Sequence, residues 1–168
     1  MFRLLAISKF FLFLIFTLSN HVQAEMQFTP LTNFGDNPGA LTASYYSPNM
    51  KADNLVVLLH GCVQNGEKLA EQSGFLGLAQ TNTFTLLVPQ QNETNNIKAC
   101  FNWFSPQDIK KNHGESLSLK NMILALKAKT KANDVYIVGL SAGGAMTSVM
   151  LVNYPELFDS AAIIAGIP

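Results

Sequence analysis

Short apolar runs alternate along this chain with stretches whose apolar positions recur at helical spacing. Leu55-Val-Val-Leu-Leu59 is continuously apolar, as expected of a strand buried on both faces. Phe84-Thr-Leu-Leu-Val88 and Val135-Tyr-Ile-Val138 read as further strands, the first stopped by Pro89. Leu41 to Tyr46 reads as an outer strand ending at Ser47-Pro48, and Ser160 to Ala165 as a last one. Between them, Glu67 to Gln80 reads as a helix weakened by Gly74 and Gly77, and Gly143 to Tyr154 as another. The strongest helix is Ser116 to Lys129, where Leu119, Met122, Ile123 and Leu126 recur at i, i+3, i+4 and i+7. Ser116 or Ser118 would cap its start, and Lys127, Lys129 and Lys131 complement the dipole at its end. Strands alternating with helices predict an α/β fold, a mostly parallel sheet with helices on both faces.

The first residues follow a different pattern. Arg3 gives a positive start, Leu4 to Leu18 is almost wholly apolar, and Val22-Gln23-Ala24 has the small-residue spacing of a cleavage site. An apolar run of about 15 residues is short for a membrane span of roughly 20. Residues 1–24 are therefore read as a cleaved signal peptide and 25–168 as one domain, secreted or periplasmic, with no stable membrane anchor. The alternative is an uncleaved anchor or a buried helix.

Composition sharpens this picture. The 168 residues are 48% hydrophobic and 13% charged, which excludes a disordered chain, and eleven basic residues balance eleven acidic ones. Without residues 1–24, nine lysines and no arginine remain against the eleven acids. That balance gives no basic footprint for nucleic acid and no guanidinium fork for phosphate. Cys62 and Cys100 are the only cysteines, and export to an oxidising compartment lets them bridge; the alternative is two free buried thiols. Scattered histidines and acids give no metal-ligand spacing, and no cofactor is expected. Asn92-Glu93-Thr94 is formally a glycosylation sequon, which nothing else supports.

The chemistry sits at a strand-to-helix turn. Gly139-Leu-Ser-Ala-Gly143 is a G-x-S-x-G sequence that follows a buried strand and opens a helix. That context makes Ser141 a nucleophile-elbow serine, its hydroxyl exposed at the positive end of the helix. His60-Gly61-Cys62 follows the strand ending at Leu59, where this architecture places an oxyanion loop. The backbone N–H groups of Cys62 and Ala142 are the expected donor pair, and a Cys62–Cys100 bridge would pin the loop that carries one of them. His60 is read as holding the loop; the other reading is a proton carrier.

Leu58-Leu-His-Gly-Cys-Val-Gln-Asn65, Cys100-Phe-Asn-Trp-Phe104, Gly114-Glu115, Gly139-Leu-Ser-Ala-Gly-Gly-Ala-Met146, Tyr154-Pro155 and Ile164-Ala-Gly-Ile-Pro168 together resemble the secreted polyhydroxybutyrate depolymerase and feruloyl/acetyl-xylan esterase family. The resemblance runs from about Leu55 to the last residue. It implies the α/β-hydrolase fold, Ser141 as the acylated nucleophile, and an ester substrate: polyester, aryl ester or acetylated polysaccharide. Trp103 and Phe104 would lie near the substrate groove, although an aromatic pair is as often core.

One departure is plain. A serine esterase needs a base and a carboxylate that orients it, in the chain order Ser, Asp or Glu, His. Glu156 and Asp159 follow Ser141 in a segment that matches a helix end, and no histidine follows it. His113 precedes the long helix in a loop that is not catalytic in the family. The sequence therefore reads as a piece of the fold truncated after the strand that follows the nucleophile helix. It is expected to be inactive alone, with a complementing C-terminal fragment as a possible partner. The alternative is a non-catalytic exported remnant or binding module derived from such an esterase.

Overall fold

A computed structural model describes residues 26–166; the expected signal peptide and the cleavage expected after Ala24 lie outside the described residues. The sheet contains β1 (Thr29–Pro30), β2 (Thr42–Tyr46), β3 (Asn54–Leu59), β4 (Thr85–Gln90), β5 (Asp134–Leu140) and β6 (Ser160–Ile164), in the spatial order β1-β2-β4-β3-β5-β6. β3, β4, β5 and β6 are parallel to their neighbours among themselves, and β1 and β2 are antiparallel additions at one side. β2 is therefore not outermost, because β1 pairs along it.

Alternation along β3 builds two cores. Leu55, Val57 and Leu59 face Leu119, Met122, Ile123 and Leu126 of α4 (Gly114–Thr130) and Met146 and Met150 of α5 (Ala142–Asn153). Val56 and Leu58 face the other way, onto Ala70 of α1 (Gly66–Gln72) and Leu76 and Ala79 of α2 (Phe75–Asn82). Helices on both faces are thus present. Coverage is nonetheless uneven, because every residue of β6 is exposed and β5 alternates between buried and half-buried positions. β6 packs against α5, where Gly144 meets the backbone of Ile164 and Gly166.

Several boundaries differ from the sequence expectation for local reasons. Gly74 adopts φ 83°, which breaks the expected single helix into α1 and α2. Pro89 does not stop β4, which continues to Gln90. Pairing with β3 ends at Leu87, so the missing proline N–H costs no ladder bond there. A short α3 (Pro106–Ile109), with proline at its first turn, was not evident from periodicity. α4 starts earlier than expected, with His113 at the N-cap. Neither Ser116 nor Ser118 caps it: the Ser116 hydroxyl donates to Lys110 O, while Ser118 Oγ accepts from Gly39 N–H. The side chain of Asn92 is fully engaged, its oxygen closing the 92–95 turn and its nitrogen donating to Ala40 O.

Gly139 and Gly143 are dictated by close approach. A Cβ on Gly139 would collide with the Gly143 carbonyl, and one on Gly143 with the carbonyls of Leu59 and His60. The first turn of α5 is thereby seated directly on the ends of β3 and β5. Gly139→Ala should destabilise the fold by about 1–3 kcal/mol, because backbone has to move to admit the methyl. A chemical denaturation midpoint unchanged from wild type would refute this.

Candidate active site

Parallel neighbours end at the same edge of a sheet. β3 and β5 pair with Leu59 beside Gly139, so the segments that follow them emerge together at the carboxyl edge. Ser141 follows β5 at φ 55° and ψ −117°, a backbone conformation that non-glycine residues rarely adopt. It is held there by its N–H donating to Ile164 O at 2.8 Å and its carbonyl accepting from Ala145 N–H at 2.9 Å. The residue is exposed and stands at the N-terminus of α5, where Ala142 contributes one of the helix's unpaired first-turn N–H groups.

The segment after β3 abuts this turn. A Cβ built on Gly61 would lie 3.2 Å from Ser141 Cβ. Gly61 N–H donates to Gln64 Oε1 at 2.7 Å and Val63 N–H donates to Lys98 O at 2.7 Å, which fixes the backbone on either side of Cys62. Val63 takes φ 56°, a strained conformation for a β-branched residue. Cys62 and Cys100 form a disulfide, so the free-thiol alternative does not hold.

His60 is completely buried, and both of its ring nitrogens are engaged. Gln91 N–H donates to Nε2 at 3.1 Å, which leaves Nδ1 as the protonated nitrogen, donating to Gly61 O at 2.7 Å. Burial holds the imidazole below its ordinary pKa, offset in part by the bond to the Gly61 carbonyl. A neutral ring with both nitrogens committed is a strut, not a proton carrier.

Other candidates are placed away from Ser141. His113 is exposed, its Nδ1 against Lys111 O. Its neighbour Asn112 donates from its backbone to Tyr154 Oη, just past the far end of α5. Twelve helical residues at about 1.5 Å each put that end roughly 18 Å from the serine. Asp159 accepts from Val135 N–H at 2.8 Å, which ties it to the opposite edge of the sheet from Ser141. Trp103 meets Phe104 edge to face at 5.7 Å, and Phe104 is exposed. Trp103, not Phe104, lines a groove of about 380 Å³ with Ile109, Ala145, Val149 and Val152, beginning one turn along α5 from Ser141.

Periodicity gave no hint of Glu115 as a working residue. It is 1% exposed at the start of α4, where its carboxylate accepts from Gln91 Nε2, Asn102 Nδ2 and Asn102 N–H. Burial pushes its pKa up to about 7, with the Asp108 charge adding and the bonds from Asn102 and Gln91 opposing. From an ordinary value of 4.5, the unfolded chain loses this proton first as pH rises. Stability from this group is therefore full below pH 4.5 and falls by about 3 kcal/mol by pH 7. His60, with its lowered value, works in the opposite sense as pH falls below its ordinary 6.5. The Glu115 share is thus read as the difference in slope between wild type and Glu115→Gln in urea melts from pH 4.5 to 7.5. Parallel slopes would contradict it.

The profile of the family described as "Esterase PHB depolymerase" matches residues 19–168. The chain belongs to the PHB depolymerase esterase family. Poly(3-hydroxyalkanoate) depolymerase C of Paucimonas lemoignei is 45% identical over 144 residues, 83% of this chain and 34% of that protein. Probable acetylxylan esterase A of Aspergillus clavatus is 32% identical over 142 residues, 82% of this chain and 45% of that protein. Among solved structures, the acetyl xylan esterase from Aspergillus awamori superposes with a TM-score of 0.77 at 31% identity, covering 84% of this chain and 52% of that one. The fold of this PHB depolymerase-family chain is that of the α/β-hydrolase esterases, of which it is a partial domain. It spans about a third to a half of the length of these relatives.

Proposed function

We propose that this chain carries the nucleophile and oxyanion loop of an exported serine carboxylic-ester hydrolase. The observation that carries the reading is the strained, exposed Ser141 at the head of α5, with the Gly61–Cys62 segment against it. In this reading Ser141 Oγ attacks the ester carbonyl carbon and the alcohol departs with a proton. Water then cleaves the acyl-enzyme. The N–H groups of Cys62 and Ala142 hold the charge on the carbonyl oxygen of each tetrahedral intermediate. Polyester and acetylated polysaccharide are the substrate classes suggested by relatives named for depolymerising a polyhydroxyalkanoate and deacetylating xylan. The Cys62–Cys100 bridge supports an oxidising destination, which suits cleavage of residues 1–24 during export.

The same reading makes the 168-residue chain incompetent by itself. His60 is committed to its loop, His113 lies near the wrong end of α5, and no histidine follows Ser141 in this sequence. A C-terminal segment, continuous or complementing, would supply acid and base. The alternative, a binding module that keeps the elbow without the triad, is separated by one experiment. Esterase turnover is measured for the chain, and for any reading frame continuing past the Pro168 codon, each against Ser141→Ala. Serine-dependent turnover restored by the continuing frame supports the enzyme. A longer product that binds ester substrates without turnover favours the module.

A further inference from the structure

The contacts around Glu115 close into a ring. From Glu115 one path runs through the Gln91 side chain to the Gln91 backbone N–H, then to His60 Nε2, and from His60 Nδ1 to Gly61 O. The other runs through Asn102, whose N–H and Nδ2 both donate to the carboxylate, back along the chain to Cys100 and across the disulfide to Cys62. Phe101, fully buried between Cys100 and Asn102 in the chain, packs against the His60 ring at a tilt of 41° with centroids 4.9 Å apart, so the two paths also touch in the middle. Both paths end on adjacent residues, Gly61 and Cys62.

We propose that Glu115 is a positioning residue for the Gly61–Cys62 segment, acting through Gln91 and His60 on one side and Asn102 and the disulfide on the other. Its functional meaning rests on the oxyanion-loop reading above, but the linkage itself does not. The residue type is what the ring requires. Three donors converge on this side chain, and a carboxylate has the lone pairs to accept all of them. A glutamine offers one acceptor oxygen and turns its own NH2 against a donor. The backbone leaves no slack either, since the Cα of Glu115 is pressed against Gly39.

Few other charges face the cluster. Asp108 approaches from α3, His60 stands at the far end of Gln91, and exposed His113 caps α4 two residues earlier. The 37–41 turn contributes no titratable group, and Gln91, Asn95 and Asn102 are neutral. Protonating Glu115 would add a donor to a site already crowded with them, so the ring has to rearrange when that proton arrives.

The test is a pH titration of the oxidised full chain by NMR, following the Glu115 carboxyl carbon, the His60 ring and the backbone amides of Gly61, Cys62 and Asn102. One midpoint shared by Glu115 and all three amides is expected, with the His60 ring unchanged across that step. Glu115→Gln should abolish the step at Gly61 and Cys62. Gln91→Met cuts one path only, so it should shrink the step at Gly61 and Cys62 and keep it at full size at Asn102. That variant leaves the Gln91 backbone N–H in place and keeps the test decisive if Glu115→Gln does not fold. The proposal is overturned if Gly61 and Cys62 do not move while Glu115 titrates, or if Gln91→Met leaves their steps at full size. A step that follows His60 protonation instead overturns it equally. Because Ser141 takes no part in the readout, failure here is told apart from failure of the esterase reading, which shows only as absent Ser141-dependent turnover in the continuing frame.

Discussion

Ser141→Ala should abolish hydrolysis of p-nitrophenyl butyrate in any form of this protein that carries an acid and a base, and change nothing in the 168-residue chain assayed alone. Losing the nucleophile of an intact triad costs on the order of 10⁶ in kcat, and members of the triad act as a unit. Without its base, the serine is therefore expected to add little to whatever residual rate the proposed oxyanion loop sustains. The strained backbone of the exposed Ser141 is set by β5, α5 and the Ile164 carbonyl, all present here. Those features position the oxygen without making it nucleophilic, because a hydroxyl near neutral pH needs its proton removed. Purified chain and variant should accordingly give the same slow background rate. Turnover at ordinary esterase rates that disappears in Ser141→Ala would sink the expectation. A further loss in His113→Ala would then identify an unexpected base, reached despite its position near the far end of α5.

The order of elements was readable because the parallel strands are continuous apolar runs and α4 repeats its apolar positions faithfully. The pair of loops at the carboxyl edge was readable for the same reason: once β3 and β5 are neighbours, whatever follows Leu59 must stand beside whatever follows Leu140. Ser141 needed only that topology and the two glycines flanking it. Glu115 needed more. Its neighbours Gln91 and Asn102 lie in an Asn- and Gln-rich stretch that looks like an ordinary polar loop. Only the fold reveals that this loop passes over the buried start of α4. The exposure of β6 was partly legible, since Ser160 to Ala165 reads as an apolar strand that wants a neighbour on each side. Ile163 and Ile164 are 43% and 50% exposed, which gives that expectation a definite surface. The capping serines were misassigned because periodicity locates the middle of a helix better than its ends, which depend on His113 and Gly114 backbone geometry.

Removing the bridge with paired Cys62→Ser and Cys100→Ser substitutions should lower stability by about 4 kcal/mol, from the entropy of closing a loop with a sequence separation of 38. For a domain of this size that is a fall in Tm on the order of 10 °C. The loop so closed contains α1, α2 and β4, so the constraint acts on one whole face of the sheet in the unfolded chain. In the folded state the Val63 N–H to Lys98 O bond runs beside the bridge and does not depend on either sulfur. The native position of the loop should therefore persist at low temperature while the unfolded chain gains freedom. That separates two measurements. Thermal melts of wild type and the double variant should diverge widely, whereas the amide spectrum of the folded double variant should change only near residues 60–64 and 98–102. A small Tm difference would mean that the unfolded chain is already restricted near these cysteines, and spectral changes spread across β5 and α5 would mean that the bridge shapes the nucleophile turn directly. The premise is checked first by intact mass after thiol labelling of the protein purified without reductant, where two labelled cysteines would remove the bridge from the account altogether.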